Sequence, residues 1–179
     1  MTSFTDHQTF EGKDGSVIHL RPAIKEDAKE IIKAANAIVE AKRYIQKEKV
    51  NSLEEEHHFI DHVQQQGHMY IVIEVNGQVS GIARVLIGEL KMKQHIGLFR
   101  TWIHPNTQGK GIGHFIMQYT QNWCKKKRLH KLCLTVFASN QAAYSLYKKY
   151  GFEEEGVQKD QVFVDDHYDD EILMAYFIK

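Results

Sequence analysis

At 179 residues, with 23 Lys and Arg balanced by 23 Asp and Glu, the chain has the length of one domain with a real core. It lacks the basic excess that a general nucleic-acid grip needs. Only two cysteines occur, Cys124 and Cys133; the start carries no apolar signal segment, and no apolar run approaches the roughly 20 residues of a membrane span. A reducing, cytoplasmic setting without membrane or nucleic-acid partner is the expectation.

In chain order, residues 1–15 read as a polar N-terminal extension and 16–179 as a single domain without repeat, low-complexity tract or linker. Ser16 to Arg21 form the first strand, stopped by Pro22. Ile31, Ile32, Ala35, Ile38 and Val39 mark a helix with Glu26 and Asp27 in its favourable first turn, and Leu53, Phe59, Ile60 and Val63 mark a second. Met69–Val75 and Val79–Ile87 are β-rich runs joined by Asn76-Gly77, the strongest short hairpin signal. With Ile96 to Ile103 they make an antiparallel meander.

The segment His104-Pro105-Asn106-Thr107-Gln108-Gly109-Lys110-Gly111-Ile112-Gly113 then leads into a helix whose apolar face is Ile112, Phe115, Ile116, Tyr119 and Trp123. Three glycines at alternate positions allow a sharp turn and leave the backbone N–H groups open, while the helix start adds unpaired amides and a positive dipole end. A strand, a glycine turn and an amphipathic helix together predict a site for an anionic diphosphate. The run is neither the nucleotide P-loop GxxxxGK[ST] nor the dinucleotide fingerprint GxGxxG. Leu132, Leu134 and Val136 alternate in a further strand. Asn140 to Tyr150 form a shorter helix closed by Gly151, and two strands follow near Val157–Val164 and Tyr168–Ile178 around Asp165-Asp166-His167. The total is mixed α/β.

Gln108, Gly111 and Gly113 fit Gln/Arg-x-x-Gly-x-Gly/Ala, with Ile103-His104-Pro105 as its entry. Asn140, Ala143, Tyr147, Gly151 and Phe152 fit N-x-x-A-x-x-x-Y-x-x-x-G-F. On these two motifs the chain resembles the GNAT acetyltransferase superfamily over roughly residues 16–178, most strongly from 95 to 156. Its tail resembles the branch of ribosomal-protein N-terminal and small-molecule acetyltransferases. The resemblance implies the acyl-CoA N-acyltransferase fold: a mixed, mostly antiparallel sheet splayed open at the coenzyme site and flanked by about four helices. It implies direct acetyl transfer from acetyl-CoA, without an acyl-enzyme or a metal, to a primary amine of a small molecule, peptide or protein N-terminus. Family members are often homodimers. The alternative is a catalytically silent acyl-CoA sensor or interaction module on the same fold.

By the same resemblance, Gln108, Gly109, Lys110, Gly111, Ile112 and Gly113 take the diphosphate. Trp102, Ile103 and His104 offer backbone to the pantetheine arm, and Asn140 lies near it. Tyr147 donates a proton or hydrogen bond to the leaving thiolate, since a phenol of pKa about 10 can assist a thiol of about 8.5. Asn140 as an N-cap and Tyr147 seven residues on share a helical face; a simple cap and a core aromatic are the plainer readings. The base that deprotonates the amine is open, because Phe99, Arg100, Thr101 and Trp102 supply no carboxylate where many members carry one. Glu74, Glu89, His95 and a water relay are the choices. The acceptor pocket is expected from Ala41 to Leu53, with Tyr44 and Glu48, and from the tail hairpin.

Other features have structural readings. Lys125 to Arg128 complement a helix dipole. His57, His58 and His62 contain an i, i+4 pair without an evident third zinc ligand. The acidic run Asp165, Asp166, Asp169, Asp170 and Glu171 reads as a solvated hairpin tip, and the two cysteines as small, partly buried residues.

Overall fold

The computed structural model describes residues 5–41 and 49–179, so Tyr44 and Glu48 lie outside the described residues. The strands are β1 (Gln8–Glu11), β2 (Val17–Pro22), β3 (Met69–Val75), β4 (Gln78–Ile87), β5 (Ile96–Ile103), β6 (Lys131–Phe137), β7 (Glu153–Val164) and β8 (His167–Phe177). The α-helices are α1 (Ala28–Glu40), α2 (Leu53–Gln65), α3 (Ile112–Lys126) and α4 (Gln141–Lys149). Hydrogen bonding orders the strands β1-β2-β3-β4-β5-β6-β8-β7, with β5 and β6 parallel and β1/β2, β2/β3, β3/β4, β6/β8 and β7/β8 antiparallel. The chain clusters into two compact units, Met1–Leu86 with Arg100–Trp123, and Ile87–Phe99 with Cys124–Lys179.

In the first unit, α1 turns Ile31, Ala34, Ala35 and Ile38 inward, the i, i+3, i+4, i+7 stripe of an amphipathic helix. α2 begins on a capping box: Glu55 N donates to Ser52 Oγ at 3.2 Å and Ser52 N to the Glu55 carboxylate at 2.7 Å. Ala28, Ile31, Ile60, Val63, Tyr70, Val72 and Ile82 form one apolar cluster, against which Phe59, Val79 and the Trp102 side chain pack. Arg21 ties β2 to its surroundings, donating to Asp27 at 2.7 and 2.8 Å and to Glu74 at 2.6 Å. The Asn76-Gly77 turn has φ of 51° and 81°, the left-handed pair that a type I′ hairpin requires. Gly81 is fixed by closeness: a Cβ there would stand 2.5 Å from the Trp102 carbonyl oxygen.

β1 lies inside the stretch read from sequence as a polar extension. It carries one large apolar side chain, Phe10, too little for a period-two signal, yet that ring stacks on Phe115 at 4.4 Å and 14°. Tyr119 Oη also donates to the Asp6 carbonyl at 2.9 Å, so the segment is held against α3.

In the second unit, β6 buries Leu132, Leu134 and Val136 and half-exposes its alternate residues, as its pattern predicts. β7 starts at Glu153, ahead of the Val157 expected from sequence, because Glu153, Glu154 and Glu155 sit on an exposed edge where apolar residues are not needed. Asp165 and Asp166 have φ of 49° and 62° and form the two-residue turn between β7 and β8.

Candidate active site

Each unit contributes one set of the residues singled out by sequence: Trp102 to Gly113 lie in the first and Asn140 and Tyr147 in the second. In the first, His104 N donates to Ser80 O at 2.7 Å, so its amide belongs to the β4–β5 ladder. Backbone groups alternate along an antiparallel strand, which turns those of Thr101 and Ile103 away from β4. β6 pairs with β5 at Ile96, Gly97 and Leu98, well before Ile103. The Ile103 carbonyl accepts Gln108 Nε2 at 3.3 Å, folding Gln108 back over the strand end. Pro105–Thr107 make a single 3-10 turn, closed by Thr107 N and Oγ1 on the His104 carbonyl, each at 2.9 Å.

Gly109 and Gly111 follow with φ of 81° and 83°, left-handed on both sides of Lys110. Alternation of this kind turns successive N–H groups to one side as an anion nest, and the first amides of α3 extend it because a helix start has no internal acceptors for them. Ile112, Ile116, Tyr119 and Trp123 are buried and hold the helix in place.

The turn has a partner that sequence reading missed. Lys110 Nζ forms an ion pair with the Asp14 carboxylate and reaches Ser16 Oγ at 3.2 Å, while Lys13 N donates to Lys110 O at 3.2 Å. The Lys110 and Ser16 hydrogen bonds hold the Asp14 carboxyl well below the usual carboxylate range. Lys110 is therefore partly neutralised, and a second lysine chain lies beside the turn: a Cβ on Gly111 would stand 3.6 Å from Lys13 Cε. Left-handed glycines, helix-start amides and a lysine chain across them fit a diphosphate, and the nearby carboxylate is already paired.

In the second unit, Asn140 Oδ1 accepts Ala143 N at 3.3 Å, so Asn140 is the N-cap of α4. Tyr147 is buried between Phe99, edge-on with centroids 6.4 Å apart, and Phe152 at 5.7 Å. Burial pushes its phenol up to about 12, and among the described residues its hydroxyl has no hydrogen-bond partner. Tyr147 is thus a core aromatic with an uncommitted, firmly protonated hydroxyl. Burial also pushes the Cys124 thiol up to about 12 and raises that of Cys133, which leaves both as poor nucleophiles.

Among the candidate bases, Glu74 is engaged by Arg21 and by His19 Nδ1 at 3.1 Å. Glu89 is exposed, and the exposed His95 stands 6.0 Å from the His130 ring. A carboxylate absent from the sequence reading is buried instead: Glu56, on α2, accepts Tyr70 Oη at 2.5 Å and Asn51 Nδ2 at 2.8 Å. Its sequence cue was its place four before Ile60 and seven before Val63, on the apolar face. The acidic residues of the tail have local partners: Asp169 accepts Ser139 Oγ at 2.5 Å and Asp170 accepts Asp160 N at 2.8 Å. Among the described residues, His57, His58 and His62 join no group of three metal-ligating side chains.

The chain is 28% identical over 109 residues to an L-amino acid N-acetyltransferase of Escherichia coli (strain K12), covering 59% of this chain and 65% of that protein. It is 29% identical over 114 residues to the [ribosomal protein bS18]-alanine N-acetyltransferase of the same strain, covering 62% of this chain and 73% of that one. The chain thus spans just under two thirds of the first relative's length. A phosphinothricin acetyltransferase from Sinorhizobium meliloti, solved with acetyl-CoA, superposes with a TM-score of 0.81 at 20% identity over 89% of this chain and 87% of that one. The family model for GNAT acetyltransferases matches residues 35–152, well over half the sequence. With both spaced motifs inside or beside that match and the same fold in solved structures, the chain belongs to the GNAT acetyltransferase family.

Proposed function

We propose that this chain transfers an acetyl group from acetyl-CoA directly to a primary amine. The observation that carries the reading is the glycine turn, with Gly109 and Gly111 both left-handed at the start of α3 and the Lys13 chain across Gly111. Gln108 to Gly113, together with Lys13, hold the diphosphate. The outward backbone of Ile103 lines the strand edge for the pantetheine amides, flanked by Trp102 and His104, whose backbone turns to β4, and Asn140 sits at the cap of α4. The amine attacks the thioester carbon, the C–N bond forms, and the C–S bond breaks on collapse of the tetrahedral oxyanion. Tyr147 gives its proton to the departing sulfur, a role for which a phenol kept protonated by burial is suited. The proton lost by the amine leaves through solvent.

The relatives' names supply the acceptor classes, amino acids and protein N-termini. The catalytic domain is read as residues 16–179, with β1 as an added edge. Free cysteines accord with a cytoplasmic setting, and a homodimer is the assembly expected from the family. Thiol release from acetyl-CoA over a panel of amino acids, peptides and polyamines tests the activity. Stimulation by at least one amine is expected. Acetyl-CoA binding with no amine-dependent release would give the chain the role of an acyl-CoA sensor.

A further inference from the structure

Arg84 on β4 and Arg100 on β5 are placed against each other. Two backbone bonds, His104 N to Ser80 O at 2.7 Å and Gly88 N to Ile96 O at 3.1 Å, fix one register at both ends of the pair, and in it Arg84 faces Arg100. Directly opposed residues of an antiparallel ladder share a face of the sheet, and like charges there are destabilising. Burial and the neighbouring Arg100 charge push the Arg84 guanidinium down from its ordinary value.

The Glu56 carboxylate attracts Arg84 on this face, one negative charge against two positive ones. Among the described residues neither arginine has a carboxylate within ion-pair distance. Arg84 lies over the Phe59 ring at 5.3 Å, and its cross-strand neighbour on the other side is Tyr70. The carboxylate on this face is Glu56, already taken up by Tyr70 and Asn51, and Asp27 is taken up by Arg21. One positive charge is therefore left over, with Arg84 half-buried and Arg100 exposed beside it, and the fork of a guanidinium matches a carboxylate by two parallel hydrogen bonds.

The anion is not the coenzyme's diphosphate. Four residue steps, about 13 Å of extended chain, lead from Arg100 to His104, before the glycine turn begins. The pair lies on the part of β5 that runs away from that turn, towards where the reacting end of an extended donor would reach.

We propose that Arg84 and Arg100 bind the carboxylate of the acceptor, so that the acceptor is an amino carboxylate such as a free α-amino acid. This rests on the acetyl-transfer reading above and specifies the acceptor within it. A polyamine, cationic along its length, is disfavoured at such a site, and an amino acid amide loses the group the site is built for.

The test is amine-dependent thiol release with matched pairs: L-alanine, L-methionine and L-phenylalanine against their carboxamides, with spermidine alongside. For at least one pair the acid should exceed the amide in kcat/KM by about tenfold or more. Arg100→Gln and Arg84→Gln should each bring that ratio to within about twofold of one. Amides or spermidine used as well as the acids, or ratios unchanged in both variants, would overturn the assignment. Arg100→Gln should also raise the melting temperature by relieving the opposed charges, an effect that a purely structural arginine would not give. If no amine releases thiol, calorimetry with the N-acetyl forms of the same acids and amides in the presence of CoA decides the site separately. Acid-selective binding lost in Arg100→Gln sustains it, and equal or undetectable binding removes it.

Discussion

The Tyr147 ring meets Phe99 edge to face, with centroids 6.4 Å apart and planes at 85°. This contact fixes the ring without using the hydroxyl. Tyr147→Phe should keep the packing and the affinity for acetyl-CoA, within about twofold, while lowering kcat by about a hundredfold or more, the lower range for a lost general acid. Steady-state kinetics beside a direct binding measurement would separate the two; unchanged kcat would remove Tyr147 from the mechanism.

The same phenol sets an alkaline limit. Its folded pKa is pushed up to about 12 from an ordinary value near 10, so the folded state holds this proton more tightly than the unfolded chain. The associated stability is complete below pH 10 and lost as pH rises from about 10 to 12. Denaturant midpoints across that window should fall less steeply in Tyr147→Phe than in the unsubstituted protein. Equal slopes would argue against the burial-held proton.

At Gly111, φ of 83° leaves an L side chain strained by roughly 1–2 kcal/mol. Gly111→Asp adds a negative charge where the diphosphate is read to sit, and should abolish acetyl-CoA binding measured by calorimetry while the fold persists by circular dichroism. Normal affinity in that variant would defeat the turn's assignment.

Lys13→Met keeps methylenes over Gly111 and removes the ammonium. Acetyl-CoA should dissociate several-fold more readily, on the order of 1 kcal/mol for a partly exposed charge contact, and with a weaker dependence on salt. A variant with unchanged affinity and unchanged salt dependence would confine Lys13 to a structural role.

Tyr70→Phe deletes the donor to a buried carboxylate. Leaving Glu56 with Asn51 alone should cost about 1–3 kcal/mol in denaturant unfolding. Tyr70→Phe combined with Glu56→Gln should recover part of that loss, since the neutral amide no longer needs the phenol.

What the sequence made legible followed from local periodicity and turn chemistry. The stripe of α1, the alternation of β6, the Asn76-Gly77 hairpin and the glycine turn each sit within a window of neighbouring residues, and each appears where the pattern places it. Those missed were made by distant partners. Phe10 has no apolar neighbour in its own strand and finds one in Phe115; Glu56 sits in an acidic run that looks solvated until Tyr70 reaches it. Lys110 looked like a phosphate ligand from its place in the turn, yet its charge is answered by Asp14, 96 residues earlier. Arg84 and Arg100 become a pair only once β4 and β5 are in register.

With the glycine turn as the proposed donor site, the joining of Asp14 to Lys110 also links cofactor loading to the behaviour of an outer strand. β1 is short and at the sheet's margin, where fraying is cheapest. A ligand that fastens on the glycine turn favours the docked hairpin over the frayed one, by an amount that grows with its concentration over its dissociation constant. Amide exchange at Gln8 and Phe10, whose N–H groups face β2, then becomes a gauge of how full the donor site is, readable far from any chemistry and without a reaction taking place.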